Sequence, residues 1–237
     1  MKHALGLLLT LVCVMVAMPA SADDEPDFAS FKDVKEKKKA FFEFMRPLVD
    51  KENAALLRDR ERLLALRNEP VDRLSSEEAQ WLESMAESYR TESPLEHAKA
   101  WGHLLERVDA IPYPLVLAQS ANESAWGTSR FARQGHNFFG QWCFTKGCGI
   151  VPGRRDAGTK HEVASFKSAR NSVRAYLKNI NTGRVYAGLR KIRAKQRAAG
   201  EPLEASALAG GLLKYSERGK AYVKEIRSMI RTNIKLM

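Results

Sequence analysis

The chain is poor in the residues that build disulfide scaffolds and metal centres. Three cysteines in 237 residues are too few to staple a fold, and one of them, Cys13, lies inside an apolar N-terminal run. The other two, Cys143 and Cys148, have no third cysteine near them. His97, His103, His136 and His161 show no metal-ligand spacing, so neither a metal nor another cofactor is expected. No internal repeat and no low-complexity linker interrupts the sequence. The long uncharged apolar run, residues 4–18, is fifteen residues, short of the ~20 that a membrane-spanning helix needs.

That run has the surroundings of a secretory signal. Lys2 and His3 give a short basic start, and Pro19-Ala20-Ser21-Ala22 supplies a helix break and a small-x-small cleavage site before Asp23-Asp24-Glu25. Residues 1–22 are therefore expected to be removed, leaving no stable membrane span and a protein exported to the periplasm or elsewhere in the cell envelope. Val12 before Cys13, where lipoprotein processing wants a small residue, argues against a lipid anchor. Export favours a disulfide between Cys143 and Cys148, whose short loop contributes about 2 kcal/mol in the chain-entropy model. Loss of Lys2 lowers the formal charge of +11 by one, to +10. A basic protein outside the cytoplasm meets no nucleic acid. Its available polyanions are peptidoglycan peptide carboxylates, phosphate-bearing envelope polymers and lipid surfaces. The clusters at residues 35–39, 58–62 and 190–197 also read as solvated helix faces.

The periodicity is mostly helical. Phe28, Phe31, Val34, Phe41, Phe42 and Met45 form one apolar stripe; Pro47 interrupts it, and Val49, Leu56, Leu57, Leu63 and Leu64 resume it. Ser75 with Glu78 forms a capping box, and Ser93-Pro94 with Glu96 opens a further helix. Residues 128–133 read as a short helical turn closed by Gly135. Residues 137–158 lack helical period and are rich in glycine and aromatics, which with 162–166 points to a small β-lobe. Helical period returns at Val173, Tyr176, Leu177 and Ile180, again over 205–213, and last at Tyr222, Val223, Ile226, Met229 and Ile230. The fold expected is α+β and mostly helical, with an N-terminal helical segment over 23–92 and a main domain over 93–237.

Charge is also missing locally. Between Ile111 and Ser129, in a chain with 28% charged residues, the one charged residue is Glu123. Leu115, Ala118, Asn122 and Trp126 recur at helical spacing, and Pro112 and Pro114 mark the start. Glu123 should therefore end a largely buried helix. Burial disfavours the ionised form, and a carboxyl kept partly protonated near neutral pH is what a general acid requires. A buried glutamate satisfied by local hydrogen bonds has the same signature.

Ala118-Gln119, Glu123-Ser124, Trp126-Gly127 and then His136-Asn137-Phe138-Phe139-Gly140 together resemble the bacterial glucosaminidase family, glycoside hydrolase family 73, whose members cut peptidoglycan glycan strands. Residues 140–148, Leu213-Lys214-Tyr215-Ser216 and Arg218-Gly219-Lys220-Ala221-Tyr222 extend the resemblance, which covers roughly residue 94 to the C-terminus. It implies a lysozyme-like arrangement, Glu123 as general acid, and an endo-β-N-acetylglucosaminidase cutting the β-1,4 bond after N-acetylglucosamine. Muramidase and lytic transglycosylase chemistry use one glutamic acid on the same kind of fold. A silent wall-binding or scaffolding protein is the non-enzymatic alternative.

The resemblance implies a second acid in the β-lobe. Glu162 is slightly favoured over Asp156 because it neighbours the extended segment, and a substrate N-acetyl group acting as internal nucleophile would remove the need for either. Tyr215 matches a family tyrosine and is expected to contact sugar or transition state, although Tyr222 falls one position later than the family's second tyrosine. Gln119 and Ser124 are expected to orient Glu123. Trp126 should pack on Glu123 and raise its pKa, or contact sugar, while Asn137, Phe139 and Trp142 complete the expected substrate-binding set. The residues leave oligomeric state, regulation and protein partners open.

Overall fold

The computed structural model describes residues 25–153, 158 and 160–237. The expected signal, residues 1–22, and Asp156 lie outside the described residues. No helix among the described residues is long and apolar enough to cross a membrane.

Asp33 caps the first helix, α1 (Val34–Leu66), accepting from the Glu36 N–H at 2.8 Å. Contrary to the sequence expectation, Pro47 does not interrupt it. Proline inside a helix costs about 3 kcal/mol, but Met45, Leu48 and Val49 beside it are all buried. Burying such side chains contributes about 1.5–3 kcal/mol each, enough to carry the helix through. The capping box at Ser75 and Glu78 opens α2 (Ser76–Tyr89) as expected. The next helix, α3 (Ala100–Arg107), starts later than Ser93-Pro94 predicts, because the Ser93 hydroxyl is used across the chain on Glu83 and accepts locally from the Leu95 N–H.

At the centre lies α4 (Tyr113–Glu123), with every residue from Leu115 to Ala121 buried and α1 packed along it. Ser129 caps α5 (Arg130–Gly135), two residues later than the period indicates, and left-handed His136 closes it. The β-lobe is three short antiparallel strands, β1 (Trp142–Cys143), β2 (Gly149–Ile150) and β3 (Glu162–Ala164), in the order β1-β3-β2 with Cys143 opposite Glu162. Helix α6 (Ala169–Thr182) follows, and a 3-10 turn, Arg184–Tyr186, leads into α7 (Ala187–Ala198). Then come α8 (Ala205–Ala209) and α9 (Lys220–Asn233). The mostly helical α+β, lysozyme-like class is as expected.

The arginines of α7 correct a second expectation. Arg190 and Arg193 are not on a solvated face: Arg193 is 1% exposed and donates to the carbonyls of Glu106, Asp109 and Ala110 and to Asn181 Oδ1. Arg197 holds the buried Asp109 carboxylate by two bonds, at 2.8 and 3.0 Å. Burial pushes the Arg193 guanidinium down to about 10, with Asp109 opposing. The knot fixes residues 106–110, immediately before α4, and so sets where the central helix begins.

Candidate active site

Glu123 is the last residue of α4. Its neighbour Ser124 accepts from the Gly127 N–H through its hydroxyl and donates to the Ser120 carbonyl, so Ser124 builds the turn rather than orienting the carboxylate. The chain then takes three successive positive-φ residues, Ala125 at 50°, Trp126 at 59° and Gly127 at 77°. The first two each cost about 1–2 kcal/mol as L-residues in this region. Packing supplies the compensation. Trp126 meets Phe41 and Phe42 edge-on at 5.7 and 5.3 Å, and the Phe28 ring lies so close to Gly127 that a Cβ there would stand 2.2 Å from Phe28 Cδ2. Trp126 therefore faces α1, and it does not line the cleft beside Glu123.

That cleft, of about 860 Å³, runs between α4, the β-lobe edge and the segment of residues 215–218. Glu123 is half-buried in its wall. Oε1 accepts from the Tyr222 hydroxyl at 2.7 Å and weakly from Asn122 at 3.4 Å. Behind Tyr222, Gln119 Nε2 donates to the same hydroxyl at 2.9 Å, and the Tyr176 hydroxyl donates to Gln119 Oε1. All donors in this buried chain point towards Glu123, so each polarises the next. Oε2 accepts no hydrogen bond from a described residue and lies on the Gly140 side of the cleft. Burial raises the Glu123 pKa above its ordinary value, and Tyr222 and Asn122 oppose that rise. Burial and the neighbouring Glu123 hold the Tyr222 hydroxyl protonated. One oxygen fixed, one open and a raised proton affinity make a group able to hand a proton to a bound oxygen.

The other expected residues divide. Gln119 is buried behind the cleft and is linked to Glu123 through the Tyr222 hydroxyl. Tyr215 lines the cleft, stacked on Tyr222 at 5.3 Å and donating to the Phe139 carbonyl at 3.0 Å. Phe139 also lines it, stacked on Tyr176 at 4.1 Å. Trp142, 59% exposed, stands at the rim on His161, and Phe144, 76% exposed, continues that aromatic edge. Asn137 does not reach the cleft. It is buried and spends its amide on the Gln141 and Ala164 carbonyls while accepting from the Phe139 and Gln141 N–H groups. Its work is to shape the turn that carries Phe139.

Glu162 does not line the cleft either. It is buried on β3, and its two oxygens accept from the Gly147 and Gly149 N–H groups at 3.0 and 2.9 Å. Gly147 belongs to the loop that the Cys143–Cys148 disulfide closes, with Cα atoms 6.2 Å apart, and Gly149 follows that loop as the first residue of β2. The carboxylate thus ties the loop to the sheet. Among the described residues, the cluster able to gather metal-ligand atoms is Cys143, Cys148 and Glu162, and its sulfurs are bonded to each other.

Tyr222 is the contact to Glu123 to which the sequence assigned no place at the site. Its helical phase marked it as core, which it is; only the arrival of α9 against α4 shows that the hydroxyl end meets Glu123. Glu217, at the cleft wall, is the other acid lining it among the described residues.

Residues 98–235 match the family model for Glucosaminidase, described as mannosyl-glycoprotein endo-beta-N-acetylglucosaminidase. The chain is 33% identical over 219 residues to Protein bax of Escherichia coli (strain K12), an alignment covering 92% of this chain and 77% of that protein. No solved structure matches.

Proposed function

The chain belongs to the glucosaminidase family, and on that premise we propose that it is an exported endo-β-N-acetylglucosaminidase that cuts the β-1,4 bond after N-acetylglucosamine in peptidoglycan, with Glu123 as general acid. The observation that supports this most is the half-buried Glu123 carboxyl, held at one oxygen by Tyr222, open at the other and raised in pKa at the wall of a cleft rimmed by aromatics. As the glycosidic C–O bond breaks, the departing oxygen takes the Glu123 proton.

Glu162 is tied to backbone amides away from the cleft and Asp156 lies outside the described residues, so the reading favoured is that the substrate's own N-acetyl oxygen meets the anomeric carbon. Water then opens the resulting ring and gives its proton back to the Glu123 carboxylate. Glu217 offers a second reading because it lines the cleft: as a base it would activate water directly. E217Q separates the two. A mild effect together with inhibition by a thiazoline analogue of N-acetylglucosamine supports the internal nucleophile, and a loss comparable to E123Q supports the base.

The functional test is product analysis on purified glycan strands. New N-acetylglucosamine reducing ends are expected; N-acetylmuramic acid ends or anhydro ends would replace this reading with muramidase or transglycosylase chemistry. No cleavage by folded protein would favour the scaffold. Export is tested by the mass of envelope-purified protein, expected to begin at Asp23 and to lack two hydrogens at the Cys143–Cys148 pair.

A further inference from the structure

Lys220, Lys224, Arg227 and Arg231 follow one another on α9 at spacings of four, three and four, which places them on one helix face over a rise of about 16 Å. All four are exposed, and with Leu213 they line a groove of about 550 Å³ that no acidic residue among the described residues enters. Among the described residues no carboxylate lies within ion-pair reach of any of them. Glu225, on the same helix, is engaged by Arg218 at 2.7 Å, and Glu204 caps α8. Arg227 has a fixed partner, the Ser206 carbonyl at 2.8 Å, which is neutral and leaves its charge uncompensated. Like charges at such spacings repel one another on a bare helix. An anion laid along the groove would reverse the sign of that interaction.

The groove and the catalytic cleft lie on two sides of one segment. Leu213 lines the groove and residues 215–218 line the cleft. Gly219, at φ 50°, turns the chain into α9, which sends Lys220 to the groove and Tyr222 to Glu123. We infer that this basic groove is an accessory binding site for the carboxylates of peptides that branch from the glycan, so that the protein prefers peptide-bearing to bare strands. The inference rests on the peptidoglycan reading. A lipid surface fits less well, because the apolar side of α9, Tyr222, Ile226 and Ile230, is buried in the core and Leu213 alone of the groove's side chains is an exposed large apolar group.

The test uses full-length E123Q protein, which leaves its ligand uncut, and measures equilibrium binding to glycan strands carrying their peptides and to the same strands after the peptides are removed. Peptide-bearing strands should bind about tenfold more tightly, the order expected for three exposed charge contacts, and the preference should weaken as salt is raised. Adding K220E, K224E and R231E should abolish the difference. Arg227 stays because it anchors α8, and an acid at residue 220 suits the helix N-terminus. If that protein does not fold, K224Q with R231Q reads the same difference at smaller amplitude. Equal binding of both strands by the parent, or a preference that survives the substitutions, overturns the inference. So does binding to anionic phospholipid vesicles that exceeds binding to peptide-bearing strands and is lost with the charges. Absence of new reducing ends in the activity assay would instead sink the functional reading, and the binding comparison, made with inactive protein, remains separate from it.

Discussion

Replacing Tyr222 by phenylalanine alters the site at one oxygen atom. The ring stays in its stack with Tyr215, while Glu123 Oε1 loses its 2.7 Å donor. That donor stabilises the ionised carboxylate more than the acid form. A hydrogen bond to a charged group contributes about 1.5–3 kcal/mol, and because Oε2 faces the open cleft the low end applies. At about 1.4 kcal/mol per pH unit, the proton should leave Glu123 roughly one unit later in the variant. The sign follows from the causes: burial raises the Glu123 pKa, Tyr222 opposes, and deletion removes the opposition. A general acid works while protonated, so the alkaline limb of kcat/KM against pH should move up by about one unit on soluble glycan strands, with the acid limb in place. Gln119 Nε2 also loses its acceptor, and stability should fall by about 1–3 kcal/mol. An alkaline limb that stays put, or moves down, would refute either the role of Tyr222 or that of Glu123.

E123Q should lower activity at least ~10²-fold with binding intact. Its stability should rise at neutral pH, because burial raises the folded-state pKa of Glu123. The stability that its protonated form lends is lost as pH climbs from the unfolded value, 4.5, through the folded one, and the amide avoids that loss. A melting temperature below the parent's above that window would contradict the burial argument. For E162Q, one of the Gly147 and Gly149 N–H groups is left without an acceptor, so the β-lobe should loosen by about 1–3 kcal/mol, seen as faster amide exchange at residues 143–149, with KM more affected than kcat. A loss of kcat as deep as that of E123Q in a stable protein would restore Glu162 as a chemical group. Gly127→Ala meets both a φ of 77° and the Phe28 ring, and should cost at least ~2 kcal/mol by denaturant unfolding; a neutral result would mean that Phe28 does not clamp the turn.

Much of the scaffold was legible because its signals are local. The capping box at Ser75, the prolines at the start of α4 and the uncharged run ending at Glu123 act within one or two helical turns, and each appears where the sequence places it. The errors are those of tertiary context. Pro47 reads as a break until the burial of Met45, Leu48 and Val49 is weighed against it. Arg190 and Arg193 read as solvent-facing because no local pattern announces the buried Asp109 and backbone carbonyls that receive them. The same blindness governs the site. Asn137, Ser124 and Trp126 stand in the right motifs, but their side chains go to backbone groups and to α1, whereas Tyr222, separated from Glu123 by 99 positions, makes the shorter of the two hydrogen bonds to its carboxylate.

The distribution of these contacts bears on where the functional unit ends. The family match begins at residue 98, yet the left-handed turn after Glu123 is held from outside it, by Phe28, Phe41 and Phe42. Two L-residues in that conformation oppose folding by a few kcal/mol together, and among the described residues the rings that Trp126 and Gly127 meet all come from residues 28–42. A boundary at residue 92 would therefore separate the acid from what fixes its helix end, since Ser124, the first residue of the turn, is also the C-cap of α4. Helix α1 runs along α4 and α6, contributing to the same core that holds Gln119, Tyr176 and Tyr222 in line. The N-terminal helix on this argument backs the turn that follows Glu123, and among the described residues none of its side chains lines the cleft.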